Sequence, residues 1–346
     1  MIKNQTIKTA ITSFGMSGQI FHAPFLLCNP NFRITKILER SKQLSKSIVH
    51  DALIVSTFED ILHDPEIDLV IVNTPNELHY PMCLDALTNG KHVIVEKPFT
   101  TTVQEAEELI ELAKMKGLVL AVYQSKRTEG DFKTLKKILD EKLIGDLKIL
   151  ESQVLRWKPD LGPKKWKVEN HPGAGLLYDL GSHLIDQALH LFGMPKSVWA
   201  DLRILRENAV VDDYFEVQMD YRDFKVNLKS SLLAKDEGFR FLAHGSKGSF
   251  VKFGSDAQEG KLMKGQMPDS KDWGKEDEKY WGTIHSKDGI QTFPTIEGTY
   301  QEFFENVYQA IAHGAQLLIK PEEALKVIQI IEIAKESSIV KETIFL

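Results

Sequence analysis

Three short stretches of this 346-residue chain carry side chains whose type and spacing suit chemistry. The first is Ser13-Phe14-Gly15-Met16-Ser17-Gly18, just after the apolar run Lys8–Thr12. It keeps the second and third glycines of the Gly-x-Gly-x-x-Gly turn, with Ser13 in place of the first. Such a turn lets backbone approach a pyrophosphate closely, and the free N–H groups of a following helix favour an anion. The second stretch is Glu96-Lys97-Pro98, directly after Val93-Ile94-Val95. A lysine at the carboxyl end of a strand in an open α/β sheet points at the crevice where ligands gather. The third runs from Gly173 to Asp186 and places Asp179 four residues before His183, on one face of a helix, with Asp186 and His190 extending the stripe. A carboxylate beside an imidazole suits proton transfer. The spacing also fits paired metal ligands, but the His-Glu-x-x-His pattern is absent. A capping Asp179 with a core His183 is the structural alternative.

A fourth signal sits at the end of the second apolar run, Leu38-Glu39-Arg40-Ser41. A carboxylate here holds the hydroxyls of an adenosine ribose, whereas a cation and a small hydroxyl accept a 2′-phosphate. Arg40 followed by Ser41 favours NADP; Glu39 keeps NAD open.

The elements that must position these residues follow from periodicity. Short apolar runs (Lys8–Thr12, Phe32–Leu38, Asp68–Asn73, Lys91–Val95, Leu118–Tyr123) alternate with amphipathic stretches. Unbroken apolar centres suit strands covered on both faces, and alternation of strands with helices implies a parallel sheet. One intervening helix stops at Asn89-Gly90. Another carries the capping box Thr102-x-x-Glu105 and ends at Gly117. Beyond Gln124 and one amphipathic helix, strand-like runs dominate: Leu147–Trp157, Ser197–Arg206, Tyr214–Tyr221, Lys225–Leu233, Arg240–His244 and Ser249–Phe253. Several alternate polar and apolar residues, as an antiparallel sheet with one solvated face does. Residues 254–290 read as a long surface excursion pinned by Trp273 and Trp281, and two closing helices span about Thr299–His313 and Pro321–Lys341. The prediction is an α/β protein: a doubly wound parallel sheet over residues 1–124, then an α+β domain over 125–346 with a large, mostly antiparallel open sheet. The C-terminal helices are free to pack back on the first domain.

Composition narrows the function classes. A net charge of −6 argues against a general polyanion binder, which needs a basic surface. Cys28 and Cys83 lack any Cys-x-x-Cys spacing, so neither a disulfide framework nor a metal site is expected. The polar start of the chain and the lack of any run of about 20 apolar residues predict a protein of the reducing cytoplasm, without membrane contact.

Taken together, the Ser-x-Gly-x-x-Gly turn, Glu96-Lys97-Pro98 and the Gly-x-Leu-x-Asp-x-Gly-x-His string resemble the Gfo/Idh/MocA oxidoreductases, essentially end to end. The strings Ser17–Pro24 and Leu177–Gln187 are most similar to the NADP-dependent inositol dehydrogenase type within that family. The resemblance implies an N-terminal Rossmann domain and a C-terminal sheet that builds homodimers or homotetramers. It also implies cofactor contacts from the turn (Phe14, Gly15, Met16, Ser17, Gly18) and from Arg40 and Ser41. Further contacts are implied from Thr74, Pro75, Asn76 and His79, and from Glu96 and Lys97. Lys97, Asp179 and His183 match the family's catalytic trio. NADP, or else NAD, would serve reversible hydride transfer between nicotinamide and a secondary alcohol of a polyol or sugar. Gln124, Arg127, Arg156, Trp166 and Tyr178 are the candidate substrate contacts. On this reading the site forms only where the two domains meet. A keto- or imino-reductase of another small metabolite, or a non-catalytic dinucleotide sensor, remains the alternative.

Overall fold

The computed structural model describes residues 6–162 and 169–346. They divide into two compact units. The first comprises Met1–Ser125, Gln258–Trp273 and Tyr300–Leu325; the second comprises Lys126–Ala257, Gly274–Thr299 and Lys326–Leu346.

The first unit is built on six strands: β1 (Ile7–Ile11), β2 (Phe32–Leu38), β3 (Leu53–Val55), β4 (Leu69–Val72), β5 (His92–Glu96) and β6 (Leu120–Tyr123). All pairings are parallel, in the order β3-β2-β1-β4-β5-β6. The order reverses direction between β1 and β4, which opens a crevice beyond the carboxyl ends of those strands. Every residue of β4 is fully buried, as a strand with helices on both faces must be. The connecting helices are α1 (Ala23–Cys28), α2 (Glu59–Leu62), α3 (His79–Thr88) and α4 (Val103–Lys116). The capping box of α4 is present: Thr102 Oγ1 accepts from the Glu105 N–H, and the Glu105 carboxylate accepts from the Thr101 and Thr102 N–H groups. β3 is too short and too exposed to show as a periodic run in the sequence.

An aromatic cluster closes this unit. Phe25 of α1 stacks on Phe304 at 5.3 Å and meets Tyr300 and Trp273 edge-on. Tyr123, at the end of β6, meets Phe303 at 4.9 Å. Phe304 belongs to the helix Gln301–His313, so residues far along the chain complete the core around the first two strands.

The second unit carries a nine-stranded sheet. Its strands are β7 (Leu147–Leu155), β8 (Ser197–Arg203), β9 (Tyr214–Asp220), β10 (Lys225–Ser231), β11 (Phe239–Gly245), β12 (Gly248–Phe253), β13 (Gly282–Ser286), β14 (Gly289–Phe293) and β15 (Ile344–Phe345). The order is β14-β13-β12-β11-β7-β10-β9-β8-β15, antiparallel except for the β7–β10 pair. Along β9, Phe215, Val217 and Met219 are buried while Tyr214, Glu216 and Gln218 are partly exposed, the alternation seen in the sequence. The helices α5 (Gly130–Asp140) and α6 (Ser182–Phe192) belong to this unit.

Residues 254–290 differ from the expected surface excursion. They hold a short helix, Ala257–Met263, and β13 with the start of β14, a hairpin that extends the sheet. The turn Ser286-Lys287-Asp288-Gly289 carries the Asp-Gly signal of a tight hairpin, which the polar composition around it obscures. Trp273 does pin its segment: it is buried, and its indole N–H donates to Gln258 Oε1 at 3.0 Å. Trp281 stays partly exposed. Among the described residues no helix is long and apolar enough to cross a membrane.

Phe304→Ala should cost about 3–5 kcal/mol of stability by leaving an aromatic-sized cavity. Phe345→Ala, at a side chain 80% exposed, should stay within about 0.5 kcal/mol. Urea unfolding of both variants checks the contrast.

Candidate functional site

In the first unit the turn after β1 is held from below by β4. Asn73 Nδ2 donates to the Ser13 carbonyl at 2.8 Å, and Thr12 Oγ1 accepts from the Asn73 N–H at 3.2 Å. A side chain on Gly18 would bring its Cβ to 2.3 Å from the Ser13 carbonyl oxygen, so the protein's own backbone requires glycine there. At Gly15 the nearest atom to such a Cβ is Ser13 Oγ at 3.7 Å. The surrounding protein therefore does not demand glycine at 15, and the open space suits a ligand's close approach. Phe14 is buried, while Met16 is 48% exposed. The helix that follows begins with a π turn, Gly18–His22, before α1; such turns recur at functional sites.

At the end of β2, Glu39 faces its own loop. Its carboxylate accepts from the Leu44 N–H at 2.8 Å and the Ser45 N–H at 3.1 Å, and Ser45 Oγ donates to it as well. Arg40, Ser41 and Lys42 beside it are exposed.

Beyond β4 lie Thr74, Pro75 and Asn76. Thr74 Oγ1 is buried without a hydrogen-bond partner among the described residues, an atom placed to receive a ligand group. His79 is fully buried, with Nδ1 at 2.8 Å from the Pro98 carbonyl and Nε2 at 3.1 Å from the Thr74 carbonyl. Burial pushes its pKa down, against those carbonyls and the Glu96 charge. A neutral ring has one N–H, so it donates to one carbonyl at a time while tying the loops after β4 and β5 together. The ring of His79 is thus engaged by protein groups.

Glu96 ends β5 and organises what lies around it. Its Oε1 accepts from Ser17 Oγ at 2.5 Å and from His22 Nε2 at 2.9 Å, and its Oε2 accepts from the Lys97 N–H at 3.2 Å. Burial pushes the carboxyl up, but the hydrogen bonds from His22 and Ser17 and the Lys97 charge outweigh it and hold the group below its usual range. His22 itself is fully buried against Tyr123 and Phe304. His22 lies within the Ser17–Pro24 string but is not among the site residues expected from the sequence; its role depends on contacts with Glu96, 74 residues away. Gln124, one of the expected substrate contacts, is buried at the end of β6, and its Oε1 has no partner among the described residues.

In the second unit Asp179 and His183 lie on one continuous helical stretch. It opens with a π turn, Leu177–Gly181, and continues as α6, so the four-residue spacing does not follow the regular helical period throughout. Asp179 is partly exposed and His183 is 7% exposed. Asp212 anchors the start of this stretch, its carboxylate accepting from the Leu177 N–H at 2.7 Å. Gly175, at φ +101°, leaves room for that carboxylate, which a Cβ would meet at 2.0 Å. Asp186 does not extend an acid–base stripe. It takes a bidentate pair from Arg127, at 2.8 and 2.7 Å, with both side chains buried. Arg240 donates to Gln187 Oε1 at 2.7 Å and to Ser152 Oγ at 2.6 Å, and it lies 3.5 Å from Asp131. These partners fix the face of α6 opposite the solvent, and Arg127 is part of that scaffold. Tyr178 is buried beneath the Lys335 ammonium, and the Arg156 backbone pairs with Ser231. Trp166 lies outside the described residues.

Comparison with known proteins gives a consistent result. Residues 7–124 match the profile of the GFO_IDH_MocA oxidoreductase family, NAD-binding Rossmann fold. Residues 136–344 match that family's C-terminal alpha/beta domain. The chain is 39% identical to scyllo-inositol 2-dehydrogenase (NADP(+)) IolW of Bacillus subtilis, over 99% of this chain and 97% of that protein. Among solved structures it is similar to oxidoreductase yvaA from Bacillus subtilis (TM-score 0.95, 38% identity, 99% of each chain). An oxidoreductase from Bacteroides fragilis is also similar (TM-score 0.90, 45% identity, 99% of this chain and all of that one).

The Asp212 anchor generates a pH prediction. Burial pushes its carboxyl up to about 6, against the Leu177 N–H that pulls it down. Ionising it therefore costs folding stability, a cost that appears as pH rises from the usual carboxylate range and is complete above about pH 6. Asp212→Asn keeps an acceptor for Leu177. It should gain about 1–3 kcal/mol over wild type near pH 8 and nothing near pH 3.5, as read by denaturant unfolding at both pH values.

Proposed function

The chain belongs to the Gfo/Idh/MocA family of oxidoreductases, and from that premise we propose that it is an NADP-preferring dehydrogenase of an inositol-like polyol or sugar, working in the cytoplasm. The observation that carries the reading is the end of β5, where a part-buried, ionised Glu96 anchors both the phosphate-binding turn and Lys97. The fit to a dinucleotide is supported by the open space at Gly15 and the unpartnered Thr74 Oγ1. When bound, the nicotinamide supplies the hydride acceptor for alcohol oxidation, or the donor for the reverse.

The chain's own residues supply the proton chemistry. Lys97, as ammonium, donates a hydrogen bond to the substrate oxygen and stabilises charge developing there. His183 takes the hydroxyl proton as general base, and Asp179 orients the substrate or the lysine. Preference for NADP is supported by Glu39, whose carboxylate is committed to the Leu44 and Ser45 N–H groups. The exposed Arg40, Ser41 and Lys42 remain to meet a 2′-phosphate. The inositol-like substrate is supported by the kinship with the Bacillus subtilis enzyme. The reading extends to a homodimer or homotetramer assembled through the nine-stranded sheet, which light scattering on the purified protein checks.

The decisive experiment follows absorbance of the reduced nicotinamide with a panel of inositols, aldoses and keto acids, each with NADP and NAD. Turnover of an inositol with NADP is expected. Lys97→Ala and His183→Ala should each lower kcat by about 10²–10⁴-fold with cofactor binding retained. Arg40→Ala should raise KM for NADP while leaving that for NAD nearly unchanged. Tight NADPH binding with no turnover on any pair would instead favour a dinucleotide sensor.

A further inference from the structure

We propose that His22 is a positioning residue for the reaction: from inside the first unit it holds the Glu96 carboxylate in the ionised, oriented state on which both Lys97 and the phosphate-binding turn depend. This rests on the dehydrogenase reading above but is separable from it by experiment.

The geometry is specific. His22 is fully buried, closing the π turn that follows the phosphate-binding turn, and its Nε2 lies 2.9 Å from Glu96 Oε1. Its Nδ1 has no hydrogen-bond partner among the described residues, so the ring's polar contact is directed at Glu96 alone. A buried imidazole with one unsatisfied nitrogen is a cost that packing does not explain, because a Phe or Leu would fill the same aromatic niche without it. Glu96 Oε1 accepts from two donors on the same turn-and-helix segment, Ser17 and His22, which leaves Oε2 to the Lys97 N–H. One carboxylate thereby joins the segment that cradles phosphate to the strand end that presents the lysine.

The charged and titratable groups around that carboxylate define what its loss of charge would do. Lys97 stands beside it on the same strand end. His22 faces it from the helical turn, His79 from α3 and Tyr123 from β6. Burial favours the neutral acid, and it is opposed mainly by His22, then by Ser17 and Lys97. Without His22 the acid form gains, and each hydrogen bond to it weakens from charge-assisted to neutral. Activity that requires the carboxylate is lost as pH falls through its folded pKa, and removing His22 raises that pKa, so the acid limb moves toward neutrality.

The test uses the full chain with His22→Leu, His22→Gln and Ser17→Ala. Turnover is read by nicotinamide absorbance and NADPH binding by its fluorescence, both across pH. His22→Leu is expected to move the acid limb of kcat up by about one pH unit, so that at a pH on the wild-type limb the variant, normalised to its own value near pH 8, turns over up to about tenfold more slowly than wild type. KM for the polyol should change little. His22→Gln, whose amide still donates to Oε1, should restore most of the wild-type profile, and Ser17→Ala should move the limb the same way by less. A merely structural histidine would lower the melting temperature and leave the limb in place. An unmoved limb in His22→Leu, or His22→Gln behaving as His22→Leu, overturns the proposal. If His22→Leu does not fold, an unmoved limb in Ser17→Ala overturns it. NADPH binding needs no substrate. If no polyol is turned over, the dehydrogenase reading fails, while the positioning role still stands or falls on the pH limb of binding.

Discussion

A carboxylate taken out of water is stable only if charge and hydrogen bonds replace the solvent it loses. Glu96 satisfies that condition with three donors from two segments, and the requirement explains why the surroundings are built as they are. The turn after β1 needs glycine at 18 because the backbone folds tightly enough to aim Ser17 and His22 inward. At the strand end the next residue, Lys97, donates its backbone N–H to the carboxylate, and its positive charge favours the ionised form. The parallel sheet supplies the rest. It sets β1 beside β4 and β4 beside β5, so that the turn and the strand end meet at the same edge.

Much of this was legible in the amino-acid sequence because it rests on local signals. The unbroken apolar runs of β4 and β5, the capping box at Thr102 and the glycine turn each declare themselves within a few residues. The same is true of the alternation along β9. The two-sheet architecture and the place of Lys97 at a strand end followed from them. What escaped depends on contacts distant in sequence. Nothing near Phe304 says that its ring stacks on Phe25, and nothing near Arg127 says that Asp186 will hold both of its nitrogens. Glu39 illustrates the same limit at short range. Its type suits a ribose, but the loop that follows it folds back and takes both carboxylate oxygens.

The second unit manages burial of charge differently. Arg127 with Asp186, and Arg240 with Gln187, Ser152 and Asp131, form a polar layer under α6 in place of a purely apolar one. Such a layer adds little net stability over well-packed hydrophobes, but it tolerates few alternative arrangements, since any slip leaves a charge unpaired. Under a helix bearing Asp179 and His183, that intolerance is useful: it fixes the helix's rotation and depth. The Asp212 carboxylate at its start serves the same end by holding the first N–H group.

The stacking of Phe304 on Phe25 bears on the order in which the protein is made. The first unit contains the earliest residues of the chain, yet its core includes Trp273, Tyr300, Phe303 and Phe304. During synthesis the sheet therefore emerges with an aromatic face uncovered, and it stays so until most of the second unit has followed it. Chains usually fold domain by domain from the amino end, and exposed apolar surface on a waiting intermediate invites aggregation. Here the nucleotide-binding half is begun first and finished late. The aromatic residues that cover this core, Trp273 to Phe304, are made only after the whole parallel sheet has been synthesised.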